Sequence, residues 1–222
     1  MEIKPIAKIY TAFKEKFGIP RQSGRGTNLF GKIVFEPEFR NPDAIRGIEG
    51  FSHLWLIFDF SLNHRNGFSP TVRPPRLGGN TRVGVFASRS PFRPNNLGLS
   101  SVKLVKIEKT TDGDVLIVEG VDILDGTPIY DIKPYLPSDC HVDAKYGYAD
   151  TTHKLTVIFD NVSKENLKDD ILNAIISCIE DDPRPSYQED DTRVYTMRFD
   201  KYDVSFTVDK DVAKIIKIKE IT

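Results

Sequence analysis

Long hydrophobic runs are missing from this chain of 222 residues. Its longest uninterrupted apolar stretch, 54–58, is five residues, whereas a membrane-spanning helix needs about 20. No apolar run of about 7 to 15 residues follows a basic segment near the start, so neither a secretory signal nor a membrane partner is expected. Cysteine is scarce: Cys140 and Cys178 share no CxxC spacing, and they read as free thiols of a reducing, cytoplasmic compartment. The four histidines, at 53, 64, 141 and 153, have no metal-ligand spacing to one another, so no metal is expected. HExxH, GxxxxGK[ST], GxSxG and a strand–GxGxxG–helix unit are all absent, which leaves a Rossmann nucleotide site without support.

One further absence is local. Residues 61–107 contain eight basic side chains, six of them arginine, and no acidic one. The overall charge of −1 hides this span, because residues 108–222 carry 14 basic and 25 acidic groups. A purely basic stretch repels itself unless it faces acidic protein or holds an anion, and guanidinium forks suit phosphate and carboxylate. An internal basic–acidic match and an anion-binding groove both fit.

What is present reads mainly as strand up to residue 137. Extended segments are expected at 3–10, 29–35, 53–60, 83–86, 99–107, 115–118 and 128–135, with a short helical turn after Asn41-Pro42 and a long loop over 61–81. They do not alternate with helices, which favours a closed or partly closed barrel over a doubly wound sheet. After a boundary within 138–152 the pattern changes to strand 155–159, a helix capped by Ser163 and running to about Glu180, then strands 193–199, 203–208 and 212–221. The expected fold is a mainly β, barrel-like N-terminal domain (1–140) with a smaller C-terminal α+β domain (150–222). Cys178 lies on the helix's apolar stripe and reads as a core thiol.

Several segments carry chemistry. In 73–76, RPPR, polyproline geometry would put Arg73 and Arg76 about 9 Å apart on one edge, as a clamp for successive phosphates or for one ligand with two acidic ends; a plain surface loop fits equally. Arg89 and Arg93 flank Pro91-Phe92; Phe92 either stacks on a base or plugs the core, and Asn95 offers paired donors and acceptors. Gly98, flanking this turn, can take dihedrals that other residues cannot. Carboxylates gather at Asp122, Asp125 and Asp131 around an Asp125-Gly126-Thr127-Pro128 turn.

The stretches IPRQ (19–22), IEGFSHLW (48–55), TVRPPRLGGN (71–80), VGVFASRSPFRPN (83–95), VDILDGTPIYDIKPYLP (121–137) and DPRPSY (182–187) resemble the TsaA/YaeB family of tRNA methyltransferases over the whole chain. The resemblance implies a homodimeric β-barrel enzyme. It would use S-adenosylmethionine to methylate N6 of N6-threonylcarbamoyladenosine at tRNA position 37, and its C-terminal domain would help dock tRNA. By position, it implies cofactor contacts at Pro20, Arg21, Gln22, Arg89, Leu99, Asp125, Gly126, Thr127 and Pro128. Arg73, Arg76, Phe92, Arg93, Asn95 and Arg184 are expected to meet the nucleoside or tRNA. The proton lost from N6 needs an acceptor, and Asp122, Asp131, Tyr130 and Tyr187 are unranked candidates. Two departures stand out. Ser61 and Leu62 occupy the place where the family usually has His, with His64 three residues on, and Asn96 replaces the proline of RPNP. A non-enzymatic RNA- or anion-binding barrel, or a methyltransferase acting on another substrate, are the competing readings.

Overall fold

A computed structural model describes residues 2–65, 67–149, 154–160, 162, 167–185, 188 and 190–221, with the side chains of residues 76 and 149 left out. The expected cap at Ser163 and the candidate Tyr187 fall outside the described residues. No described helix is long and apolar enough to cross a membrane.

Six antiparallel strands close into a barrel in the order β1-β2-β7-β6-β3-β8. They are β1 (Ala7–Thr11), β2 (Phe30–Phe35), β3 (His53–Asp59), β6 (Leu97–Thr110), β7 (Gly113–Glu119) and β8 (Thr127–Pro134), while β4 (Thr71–Val72) and β5 (Val83–Gly84) form a separate two-stranded ribbon. The period-two pattern sets which side chains turn inward: Ile9, Ile33, Leu54, Leu56, Leu116, Val118 and Ile129 are fully buried. Strand β6 is longer than the sequence suggested because its first half pairs with β3 and its second with β7, with a register shift between Leu104 and Lys106.

Antiparallel closure has one consequence for function. Strands β1, β3 and β7 end, and β2, β6 and β8 begin, at the same end of the barrel. The connections 12–29, 60–96 and 120–126 therefore share that end. The segment 36–52 and the short 111–112 turn lie at the other. Asn41 caps the turn Pro42–Ile45 there, its Oδ1 accepting from the Asp43 N–H at 3.0 Å, as the Asn-Pro pair suggested.

The C-terminal unit is a four-stranded sheet in the order β10-β11-β12-β9, from β9 (Thr156–Phe159), β10 (Tyr195–Phe199), β11 (Tyr202–Asp209) and β12 (Val212–Glu220). Only the β12–β9 pairing is parallel. Helix α1 (Asp169–Glu180) buries Ala174, Ile175, Cys178 and Ile179. The Cys178 thiol is pushed upward by burial and by the charge of Asp181, in keeping with a packing role.

Barrel and sheet share one buried cluster. The segment after β1 makes the join: Phe13 meets Phe199 edge-on at 5.6 Å, Phe17 stacks on Tyr195 and Phe206, and the Asp200 N–H donates to the Ala12 carbonyl at 2.7 Å.

Candidate active site

The three connections at the motif-bearing end enclose a cleft of about 550 Å³, within the range of small-molecule sites. Its walls come from 19–22, from β3 and the turn after it (Trp55, Phe58–Asn63), from Ser88, Arg89, Pro91 and Arg93, from the start of β6 (Leu97–Ser100), and from 122–124 with Thr127. Apolar surface from Ile19, Phe58, Phe60, Leu97 and Leu99 thus faces charged groups of both signs, Arg89 and Asp122.

Asp122 is the most perturbed acid on this lining. Burial raises its pKa from 3.8 to about 6, although the Ser100 hydroxyl, its own and the Ser23 backbone N–H, and the charge of Arg89 all pull it down. Ser100 Oγ donates to Asp122 Oδ1 at 2.6 Å. A half-desolvated carboxyl of this kind can take up a proton near neutral pH or pair with a bound cation.

Pro20, Arg21 and Gln22 line the cleft, and Arg21 also reaches the C-terminal unit. Its backbone N–H donates to Asp181 Oδ2 at 3.1 Å, and Nη2 donates to the carbonyls of Asp182 (3.0 Å) and Arg184 (2.6 Å). Arg25 Nε pairs with the other oxygen of Asp181, a residue 6% exposed. The IPRQ and DPRPSY motifs are therefore two halves of one latch. Arg89 Nη1 donates to Gln22 Oε1, tying the second motif loop to the first.

The Asp125–Pro128 turn enters the site through one residue. Thr127 lines the cleft and donates its hydroxyl to the Leu124 carbonyl at 2.7 Å. Asp125 faces away, accepting from the Thr11 N–H and from Lys14 Nζ, each at 2.8 Å. Gly126 supplies the left-handed φ of 75° that the turn needs and donates its N–H to the Ile9 carbonyl, while Pro128 sits in β8 opposite Lys8. Asp125, Gly126 and Pro128 shape the turn rather than wall the cavity.

The other proton-acceptor candidates separate clearly. Asp131 is outside the lining, on β8, with Lys133 Nζ at 2.9 Å. Tyr130 stands beside the cleft residue Asp59; burial first, then the charge and hydrogen bond of Asp59, push the phenol upward. His64 Nε2 lies 2.7 Å from Asp59 Oδ1, so Asp59 gathers both rings.

Several expectations for the substrate residues need correction. Arg184 is not presented to solvent: its side chain is 11% exposed and its guanidinium forks onto both oxygens of Asp182, at 2.8 and 3.0 Å. Phe92 does not plug the core: it is half-buried, with the Arg65 guanidinium over its ring at 3.9 Å. Arg93 lines the cleft, but its Nη1 donates to the carbonyls of Val85 (3.1 Å) and Ser88 (2.8 Å), which orders the loop. The RPPR segment is not one polyproline edge, since Pro75 starts a 3-10 turn that contains Arg76. Arg73 and Asn95 are exposed and outside the lining. Asn96 tightens its turn, with Nδ2 donating to the Pro91 carbonyl at 2.8 Å and the Asn63 carbonyl at 3.3 Å. Gly98 has ordinary dihedrals; it is needed because a β-carbon there would collide with the ring of Phe58.

Sequence reasoning missed Asp59, Ser100, Leu97 and Asp181. The first three sit where β3 ends and β6 begins, a junction that only the barrel order reveals. The acidic pair before RPSY was a readable signal for Asp181. Trp55 lines the cleft, with its indole N–H donating to Asp139 Oδ2 at 2.7 Å. Among the described residues, no group of three or more His, Cys, Asp or Glu is placed to hold a metal ion.

Comparison with known proteins gives matches along nearly the whole chain. The family profile described as the tRNA-methyltransferase O N-terminal domain matches residues 8–140, and that of the TrmO C-terminal domain matches 152–221. A tRNA (adenine(37)-N6)-methyltransferase of Escherichia coli is 38% identical over 218 residues, which is 93% of each chain. A probable S-adenosyl-L-methionine-binding protein of Pyrococcus abyssi is 38% identical over 154 residues, covering 68% of this chain and 78% of the relative. The crystal structure of TrmO from Pseudomonas aeruginosa superposes with a TM-score of 0.80 at 30% identity, covering 99% of this chain and 98% of the other.

Proposed function

The chain belongs to the tRNA-methyltransferase O family, and from that premise we propose that it methylates N6 of N6-threonylcarbamoyladenosine at position 37 of tRNA with S-adenosylmethionine. One observation carries this reading. Three loops far apart in sequence meet at one barrel end around a cleft that sets Arg89 and Asp122 against an apolar wall.

The cleft's chemistry fits the cofactor. A zwitterionic amino-acid tail calls for charges of both signs, and an adenosine calls for apolar contact. Arg89, steadied by Gln22, is placed for a carboxylate. Ile19, Leu97 and Leu99 give a nonpolar face. When bound, S-adenosylmethionine supplies a methyl group on a cationic sulfur. The work left to the protein is to align donor and acceptor and to remove one proton.

Asp122 is the proposed proton acceptor. Of the candidates among the described residues, Asp122, Asp131 and Tyr130, it is the one that lines the cavity, with a pKa raised to about 6, close enough to neutrality to be ionised at working pH and still basic. Ser100 fixes one carboxylate oxygen and so orients the other. Tyr130 and His64 act on the site only through Asp59, which makes them positioning groups.

The proposed organisation is a catalytic barrel over 1–140, a C-terminal unit over 150–222 that assists tRNA docking, and a homodimer in the cytoplasm. Methyl transfer to tRNA with and without the threonylcarbamoyl group, read by nucleoside mass spectrometry, tests the activity. Methylation confined to the modified adenosine at position 37 supports it. Methylation of other sites would mean a different substrate, and binding without methylation would mean an RNA-binding barrel.

A further inference from the structure

Outside the cleft, the basic span 61–107 presents two large apolar rings to water. Phe86 is 73% exposed and Phe68 54% exposed. Their rings lie 6.2 Å apart and 24° from parallel, a stacked pair. The backbone beneath is braced: Thr71 pairs with Gly84, Val72 pairs with Val83, and the Val85 N–H donates to the Pro70 carbonyl at 2.9 Å. The turn that carries Phe86 thus leaves directly from the two-stranded ribbon, and Phe68 lies three residues before its first strand.

Arg93 joins this ribbon to the cleft. The Arg93 guanidinium lies 5.9 Å from the Phe86 ring and donates to the carbonyls on either side of the Val85–Ala87 turn, while itself lining the cavity. Arg65, Arg73 and Arg82 lie close to the two rings in sequence, in a span with no acidic residue, and Arg82 Nη1 donates to Thr71 Oγ1 on the ribbon at 3.0 Å. Exposed aromatic faces interleaved with cations suit a ligand that has both π faces and negative charge.

We propose that Phe68 and Phe86 form a stacking platform for unpaired bases of the tRNA loop beside the target adenosine, with Arg65, Arg73 and Arg82 meeting the backbone phosphates. The platform rests on the tRNA reading above. It makes the chain a reader of single-stranded RNA next to its catalytic cleft, and it separates two kinds of contact. Stacking does not depend on salt, whereas each arginine–phosphate contact does.

The test is equilibrium binding of the full chain to an anticodon stem-loop RNA and to a fully paired RNA duplex, at several salt concentrations, with a parallel titration of S-adenosylmethionine. Phe86→Ala should weaken stem-loop binding about 5- to 100-fold, with the salt slope, the duplex affinity and the cofactor affinity unchanged. Phe86→Tyr should restore most of the loss. Arg73→Ala or Arg82→Ala should instead flatten the salt slope by about one contact each. A Phe68→Ala/Phe86→Ala variant that binds cofactor and keeps full stem-loop affinity would overturn the platform while leaving the methyltransferase reading intact. If sedimentation shows that variant to have lost self-association, the rings are an interface between copies and the proposal fails. Wild-type protein with no affinity for either stem-loop or whole tRNA would refute the functional reading itself.

Discussion

Asp122 carries more of the account than any other residue, and its environment makes two predictions. Its folded pKa of about 6 lies above its ordinary 3.8. The folded chain therefore binds more protons than the unfolded chain between those values, and the group's contribution to stability falls as pH rises across that window. Asp122→Asn removes the charge and keeps an acceptor for Ser100. It should be about 1–2 kcal/mol more stable than wild type at pH 8, with the difference vanishing below about pH 4, as read by denaturant unfolding. The same variant should lose about 10²- to 10⁴-fold in methyl transfer. In the wild type the rate should rise with pH through about 6 and then level, and the variant should lack that limb. Asp122 stood out in the sequence only as one of several carboxylates. Its selection needed the fold, because Ser100 and Arg89 are brought to it from other strands and loops. Arg184, expected to meet tRNA, forms an ion pair with Asp182, two residues away, which the spacing alone did not announce.

Among the elements, the connection 12–29 is the one that couples the two halves. Its first part packs on β10 and β11 through Phe13 and Phe17, and its IPRQ segment is clipped to the turn after α1 by Asp181. Asp181→Ala removes an almost fully buried acceptor from Arg21 and Arg25. It should cost about 2–4 kcal/mol of stability and weaken cofactor binding by loosening residues 20–22, measured by unfolding and calorimetry on the same preparation. Gly98→Ala should push the Phe58 ring out of its seat against β6, at a cost of about 1–3 kcal/mol, and should impair cofactor binding with it. Strand existence was legible from alternation, and the end of α1 from its apolar stripe. The length of β6 was not, because its two halves serve different neighbours across a register shift that local pattern does not encode.

For the whole molecule, charge separation is the leading feature: an acid-free span of eight basic groups beside a strongly acidic second half. Binding to tRNA should weaken steeply between about 50 and 200 mM salt if several of these groups meet phosphates; a flat response would leave the span a purely internal match. The change from barrel to α+β unit was legible because the hydrophobic period changes near residue 139. The convergence of the three motif loops was not, since it follows from the antiparallel closure of six strands and from no single segment. That convergence is the claim on which the function depends. Amide hydrogen exchange with and without S-adenosylhomocysteine tests it most directly. Protection is expected together at 19–22, 97–100 and 122–127, with the four-stranded sheet unchanged. Protection confined to that sheet, or to one loop alone, would contradict the account.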